Sequence, residues 1–310
     1  MNRALVFPGQ GAQYVGMAAD LAAAFPTCRA ALDEADAALG MKLSAIMAQG
    51  PEAELTRTDI SQPAILVASI MALRAYAAVA GREPAFAAAA GLSLGEYTAL
   101  VAAGALAFAD AVVLVRLRGE AMQEAAERVK SGMVALIGAD EASAGRLCAA
   151  VAQGEVLQVA NLNATGQVVI SGAAAACERA VAAAKEHGIK RAIPLQVAGA
   201  FHSALMAPAA DRLRAALARA RLADPRVPVY SNVTAMPVTR ASEIPDLLVK
   251  QLTEPVRWAD SVVRMQKDGI GEFLELGPGK TLCGMITRTI SGATLRNLDK
   301  AADAQAFAAG

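Results

Sequence analysis

The pentapeptide Gly91-Leu92-Ser93-Leu94-Gly95 constrains this chain more than any other stretch. The apolar run Ala85 to Ala90 leads into it, and Glu96-Tyr97-Thr98-Ala99-Leu100 reads as the first turns of a helix. A serine with glycine two residues away on each side suits a sharp strand-to-helix turn. Small residues tolerate the strained backbone there, and the turn lifts the hydroxyl clear of the sheet. The helix that follows aims its N-terminal N–H groups at the place where negative charge would develop. Two readings stand at this point: a nucleophile elbow, or a glycine-bounded turn with an incidental serine.

The size and composition fit an elbow set in a large α/β protein. At 310 residues the chain is long for one hydrophobic core, so two domains or one domain with an insertion are expected. Hydrophobic residues make up 55% and charged residues 19%, which excludes a disordered chain. Lys+Arg and Asp+Glu both number 29, so there is no charge footprint for nucleic acid and none is expected as a partner. Uncharged runs such as Ile60 to Leu73 fall short of a bilayer span, so no membrane partner is expected. Cys28, Cys148, Cys177 and Cys283 are scattered, and with only His187 and His202 beside them no metal site is expected. Reduced, mostly buried thiols in a soluble, cytoplasmic protein are the simplest account.

Along the chain, Arg3 to Phe7 reads as a buried strand that leaves through Pro8-Gly9-Gln10-Gly11-Ala12-Gln13. Tyr14 occupies the third glycine position of a dinucleotide fingerprint and rules that motif out. The loop is either a tight turn or a source of backbone N–H groups for an oxyanion. Helical patterns follow at 18–24, 28–39 and 63–79, then the elbow and its helix to about Gly104, then a helix over about 109–128. From Ser131 the order strand 133–137, helix 141–152, strand 156–160, strand 168–170, helix 173–186, strand 189–197 is βαββαβ, a ferredoxin-like small subdomain. Asn161 and Asn163 lie between its middle strands, where turn chemistry is the expected role. The final third returns to α/β character, with strands at 227–230 and 273–276, and the segment beyond Lys300 is expected to fray. Gly277-Pro-Gly-Lys-Thr281 is no phosphate loop, because Leu274 stands where its first glycine belongs. Trp258 reads as a packing residue.

Two further residues bear on chemistry. At 100° per residue Arg118 falls among Ala111, Leu114, Val115, Met122 and Ala125, on an apolar stripe, whereas Arg116 shares the opposite face with Glu120 and reads as solvated. A core-facing guanidinium needs an anion, either an internal Asp or Glu or a substrate carboxylate held in a fork. His187 ends a helix and reads as structural. His202, in Gly199-Ala-Phe-His202, is a satisfied polar residue or, if Ser93 needs a base, the better placed imidazole.

Phe7-Pro-Gly-Gln-Gly-Ala-Gln13, Gly91-Leu-Ser-Leu-Gly-Glu96, Arg118, Gly199-Ala-Phe-His202, Ser231-Asn-Val-Thr234, Gln251 with Pro-Val-Arg-Trp258, and Leu276-Gly-Pro-Gly279 together resemble the malonyl-CoA:acyl carrier protein transacylases. The resemblance runs from Leu5 to about Leu298. It implies a hydrolase-like parallel-sheet core (1–128 and 199–310) carrying the ferredoxin-like insertion (129–198). It also implies Ser93 as nucleophile, His202 as base, and the backbone carbonyl of Gln251 orienting the imidazole. The backbone N–H groups of Gln10 and Leu94 would hold the oxyanion, and Arg118 would clamp the malonyl carboxylate. The implied partners are malonyl-CoA, as substrate with no other cofactor, and holo acyl carrier protein, in a monomeric enzyme. Leu92 departs from the histidine that many relatives have before the serine. Phe201 resembles malonyl-selective members. The competing expectations are a serine esterase or thioesterase on the same elbow, a trans-acting polyketide acyltransferase, and a non-catalytic docking domain.

Overall fold

The stretch Leu5 to Phe7 has no exposed surface, and the same is true of Phe273, Leu274 and Leu276. Strands covered on both faces read as continuous apolar runs and belong at the centre of a parallel sheet. The computed structural model, which describes residues 2–308, places them there. The strands are β1 (Asn2–Phe7), β2 (Ala88–Gly91), β3 (Ser131–Ile137), β4 (Leu157–Ala164), β5 (Gln167–Ala173), β6 (Arg191–Pro194), β7 (Val229–Tyr230), β8 (Pro237–Val238), β9 (Ile270–Leu276) and β10 (Thr294–Leu298). One six-stranded sheet has the order β10-β9-β1-β2-β7-β8, parallel except for the β7–β8 pair at its edge. A second, four-stranded sheet has the order β4-β5-β3-β6 and is antiparallel throughout. It has an apolar core of its own, including Val134, Leu136, Leu147, Ile170 and Ile189, under the helices Glu141–Val151 and Ala174–Ala183.

In the parallel sheet the C-terminal ends of β1, β2, β7 and β9 come out on one side. They bring the Pro8–Gln13 loop, Ser93, Asn232 and Gly277 to one edge, the usual site-bearing edge of such a sheet. The Gly277–Thr281 loop has a different task from phosphate binding. Buried Glu275 accepts hydrogen bonds from the Leu282 and Cys283 amides (3.0 and 2.8 Å), so the N-terminus of the helix Thr281–Thr289 already has its anion.

Several sequence expectations are corrected. The helix expected from Pro63 runs over Thr58–Ala80, with Pro63 inside it. Proline has no N–H for the carbonyl four residues back, that of Asp59. Arg116 Nη1 donates to that oxygen at 3.1 Å, and the same guanidinium pairs with the Asp59 carboxylate (3.0 Å) and with Glu120 (2.9 Å). Arg116 therefore repairs the helix and is not merely solvated. At 23 residues this helix is long and apolar enough to cross a membrane, but 61% of its most apolar stretch is buried, and it packs against the helices Pro26–Leu39 and Phe108–Arg128. Short helices at Leu43–Gln49 and Glu52–Thr56, too brief for a helical period to be read, had no counterpart in the sequence reading. Asn161 and Asn163 belong to β4, not to a turn, because the strand continues past Ala160 to pair with Val256 as well as with β5. The segment after Lys300 forms the helix Ala301–Ala308, whose Ala304 is fully buried against the core.

Candidate active site

Ser93 sits directly after β2 with φ 50°, in the left-handed region that a side chain enters at a cost of about 1–2 kcal/mol. The two flanking glycines make this turn sterically possible. A Cβ on Gly91 would lie 2.0 Å from the Gly95 carbonyl, and one on Gly95 would lie 2.1 Å from the Phe7 carbonyl oxygen. The turn is also braced from the side. Fully buried Asn232 accepts from the Ser93 amide through Oδ1 (2.6 Å) and donates to the Gly91 carbonyl through Nδ2 (2.7 Å).

Ser93 Oγ lies 2.9 Å from His202 Nε2, and His202 Nδ1 lies 2.6 Å from the backbone carbonyl of Gln251. A carbonyl only accepts, so Nδ1 carries the proton and Nε2 presents a lone pair to the serine hydroxyl. His202 is 4% exposed and also adopts a left-handed conformation, φ 57°. Burial first, and then the positive charge of Arg118, lower its pKa to about 4. The imidazole is therefore a neutral proton acceptor throughout the physiological range. His187 takes no part. Its amide bonds to the Ala183 and Ala184 carbonyls at a helix end, in keeping with a structural role.

Arg118, 1% exposed, reaches this line from the helix Phe108–Arg128. Its Nη2 donates to Ser93 Oγ (3.0 Å) and to Gln251 Oε1 (2.8 Å), its Nη1 donates to Gln62 Oε1 (2.6 Å), and the Tyr97 ring lies 5.4 Å away. Burial lowers its pKa, opposed by Tyr97 and Glu96. Among the described residues no carboxylate forms a salt bridge with it, so the internal ion pair weighed from sequence is not what holds it. Its direct hydrogen-bond partners are two neutral amides and the serine, with the Glu96 carboxylate one residue further off behind Gln251.

The Gln10 and Leu94 amides lie on the two loops that flank Ser93. Among the described residues, neither donates to another backbone group outside regular structure. A cavity of about 260 Å³ opens over Ser93 and His202, bounded by Gln10, Phe201, Met133 and Asn161. Asn163 also lines it, and its Oδ1 is buried without a partner. Leu92 flanks the cavity and packs, partly buried, against the apolar cluster that also holds the fully buried Trp258, a packing residue as expected.

Sequence reasoning missed four contributions: Gln62, the side chain of Gln251, Asn232 as brace, and Glu96. Gln62 carried a usable signal, since a lone amide within the uncharged run Ile60 to Leu73 raises the same question as Arg118 on its stripe. Glu96 is 4% exposed, and its Oε2 accepts from Gln251 Nε2 (2.6 Å) and the Asn232 amide (3.2 Å). Burial raises its pKa to about 7, with Gln251 and Asn232 opposing.

A hydroxyl at a strained elbow, a neutral imidazole oriented by a carbonyl, and a buried guanidinium beside them are the groups that acyl transfer through a serine would use. The comparisons agree: the acyl transferase domain family matches residues 4–305, and the chain belongs to it. The chain is 47% identical over 297 residues to the malonyl CoA-acyl carrier protein transacylase of Escherichia coli K12, covering 96% of each. The structure of the corresponding transacylase from Coxiella burnetii superposes with a TM-score of 0.95 at 40% identity, over 99% of this chain and 96% of that one. A malonyl-transacylase solved with its type II polyketide-synthase acyl-carrier protein gives 0.94 at 43% identity, over 98% of each.

Proposed function

We propose that this acyltransferase moves a malonyl group from malonyl-CoA to the phosphopantetheine thiol of an acyl carrier protein, by way of a malonyl-serine. In the first half-reaction His202 Nε2 takes the Ser93 proton while Oγ adds to the thioester carbonyl. The Gln10 and Leu94 N–H groups receive the oxyanion, and such a donor is typically worth about 3 kcal/mol of barrier. The carbonyl re-forms, the C–S bond breaks, and the imidazolium returns its proton to the CoA thiolate. The carrier thiol then repeats the sequence in reverse on the serine ester, a ping-pong course.

One observation carries the malonyl assignment: a buried guanidinium that makes no salt bridge among the described residues stands 3.0 Å from Ser93 Oγ. In a malonyl ester the free carboxylate carbon is three bonds from that oxygen, so it falls within reach of Arg118, which forms a fork geometry that suits it. The uncharged partner of His202 distinguishes the site from a hydrolase triad, where a carboxylate would stand in place of the Gln251 carbonyl. Phe201, 5% exposed at the cavity wall, disfavours an α-methyl branch, and a methyl group is worth about 1–3 kcal/mol of discrimination.

Residues 129–198, with the strand order β4-β5-β3-β6 and a separate core, form a ferredoxin-like small subdomain on a hydrolase-like larger one in this reading. The enzyme acts as a cytoplasmic monomer with no cofactor beyond its CoA substrate. The test is intact-protein mass spectrometry after incubation with malonyl-CoA. A malonyl mass mapping to Ser93 and discharged by holo carrier protein is expected. Release as free malonate without transfer would refute the proposal in favour of a thioesterase.

A further inference from the structure

Gln251 bonds to His202, to Arg118 and to the backbone of Ser93. Its backbone carbonyl holds His202, its Oε1 accepts from Arg118, and its Nε2 donates to the Ser93 carbonyl (2.9 Å). It is fully buried, and its side-chain amide works in only one orientation, oxygen toward the guanidinium. A flipped amide would set its NH2 group against the Arg118 donors and leave the Ser93 carbonyl facing an oxygen. The second N–H of that amide goes to Glu96 Oε2 at 2.6 Å.

Glu96 is fixed in turn. It lies in the first turn of the helix Gly95–Ala102, and the same Oε2 accepts from the amide of Asn232, the residue that braces the elbow. Because one oxygen takes both hydrogen bonds, the arrangement persists whether or not Oε1 is protonated. Glu96 lies behind Gln251 and does not line the cavity over Ser93.

We propose that Glu96 is a positioning residue: by locking the Gln251 amide it sets the aim of the Arg118 guanidinium, and so the preference for acyl groups that carry a free carboxylate. The proposal rests on Arg118 being the carboxylate clamp. It makes acyl selectivity a property of the chain Glu96–Gln251–Arg118 and not of the arginine alone. A residue that served only to stabilise the elbow would affect every acyl group alike.

The test compares Glu96→Met, similar in length but lacking the acceptor, with Glu96→Gln, whose amide oxygen can take both hydrogen bonds. Steady-state acylation is measured with malonyl-CoA and acetyl-CoA on each preparation of the full chain, so that the ratio cancels any inactive fraction. Glu96→Met should lower the malonyl-to-acetyl ratio of kcat/KM on the order of tenfold, the scale of one lost hydrogen bond to a charged group, with a rise in malonyl KM. Glu96→Gln should restore most of the ratio. If Glu96→Met does not fold, Glu96→Ala is read against the same ratio. An unchanged ratio in the acceptor-less variant, or one lowered equally by Glu96→Gln, overturns the proposal. Arg118→Ala in parallel separates the two levels. Equal losses for both acyl groups there refute the clamp itself, whereas a selective loss there with an unchanged ratio at Glu96 refutes only the role of Glu96.

Discussion

Asn232→Ala tests whether the elbow is held by its own glycines or by a brace from the turn after β7. The side chain spans the turn, taking the Ser93 N–H at 2.6 Å and giving to the Gly91 carbonyl at 2.7 Å, with no exposed surface. Alanine preserves the backbone bonds at this position, including the one from the Arg257 amide (2.8 Å). It strands one donor and one acceptor in the interior, each costing about 1–3 kcal/mol, or roughly 2–6 kcal/mol together. The serine held at φ 50° also loses the contact that keeps it there, so part of its strain is released by moving Oγ away from the imidazole 2.9 Å distant. A displacement of about 1 Å at a reacting centre costs on the order of 100-fold in rate. Thermal unfolding by circular dichroism should therefore show Tm lower by at least about 4 °C. Rapid-quench measurement should show malonylation of Ser93 slowed by about 100-fold. A variant with wild-type Tm and an acylation rate within about twofold of wild type would refute the bracing argument, since two stranded buried groups cannot be silent.

Other outcomes follow from the same geometry. Because the His202 pKa is lowered to about 4, acylation measured from pH 8 downward should hold its base-dependent limb well below 6.5 and fall only as pH approaches 4. An inflection near 6.5 assigned to His202 would contradict its burial. For stability the sign is set by the folded value lying below the ordinary 6.5. Between about 6.5 and 4 the unfolded chain binds a proton that the folded chain refuses, so this group's contribution is lost as pH falls through that window. Glu96, raised to about 7 from 4.5, works in the opposite sense, and its contribution declines as pH rises between those values. Gly95→Ala places a Cβ 2.1 Å from the Phe7 carbonyl oxygen, on the central strand. It should abolish acylation or prevent folding, and a well-folded, active Gly95→Ala would show that the turn tolerates a shift that the packing forbids.

The parts of this protein legible from sequence are those whose signal is local. Gly91 and Gly95 announce the turn because a strained backbone admits few residue types. The continuous apolar runs of β1 and β9 announce buried parallel strands, and the alternation of strands and helices from Ser131 announces the second sheet. Arg118 betrayed itself by standing on an apolar stripe. Periodicity could not say what meets the guanidinium, because Gln62 and Gln251 lie 56 and 133 residues away and come together only through the crossing of helices and the order of strands. The same limit hid Asn232, which had no individual role in the sequence and is the brace of an elbow 139 residues earlier. It misplaced Pro63 too, since helix-breaking is a local rule and Arg116 supplies the compensating donor from another helix. Residue types and spacing nominated the groups proposed for acyl transfer. Only tertiary structure decided their orientation, the proton position on His202 and that, among the described residues, amides and not a salt-bridged carboxylate meet Arg118, because burial and hydrogen-bond partners are properties of the assembled interior.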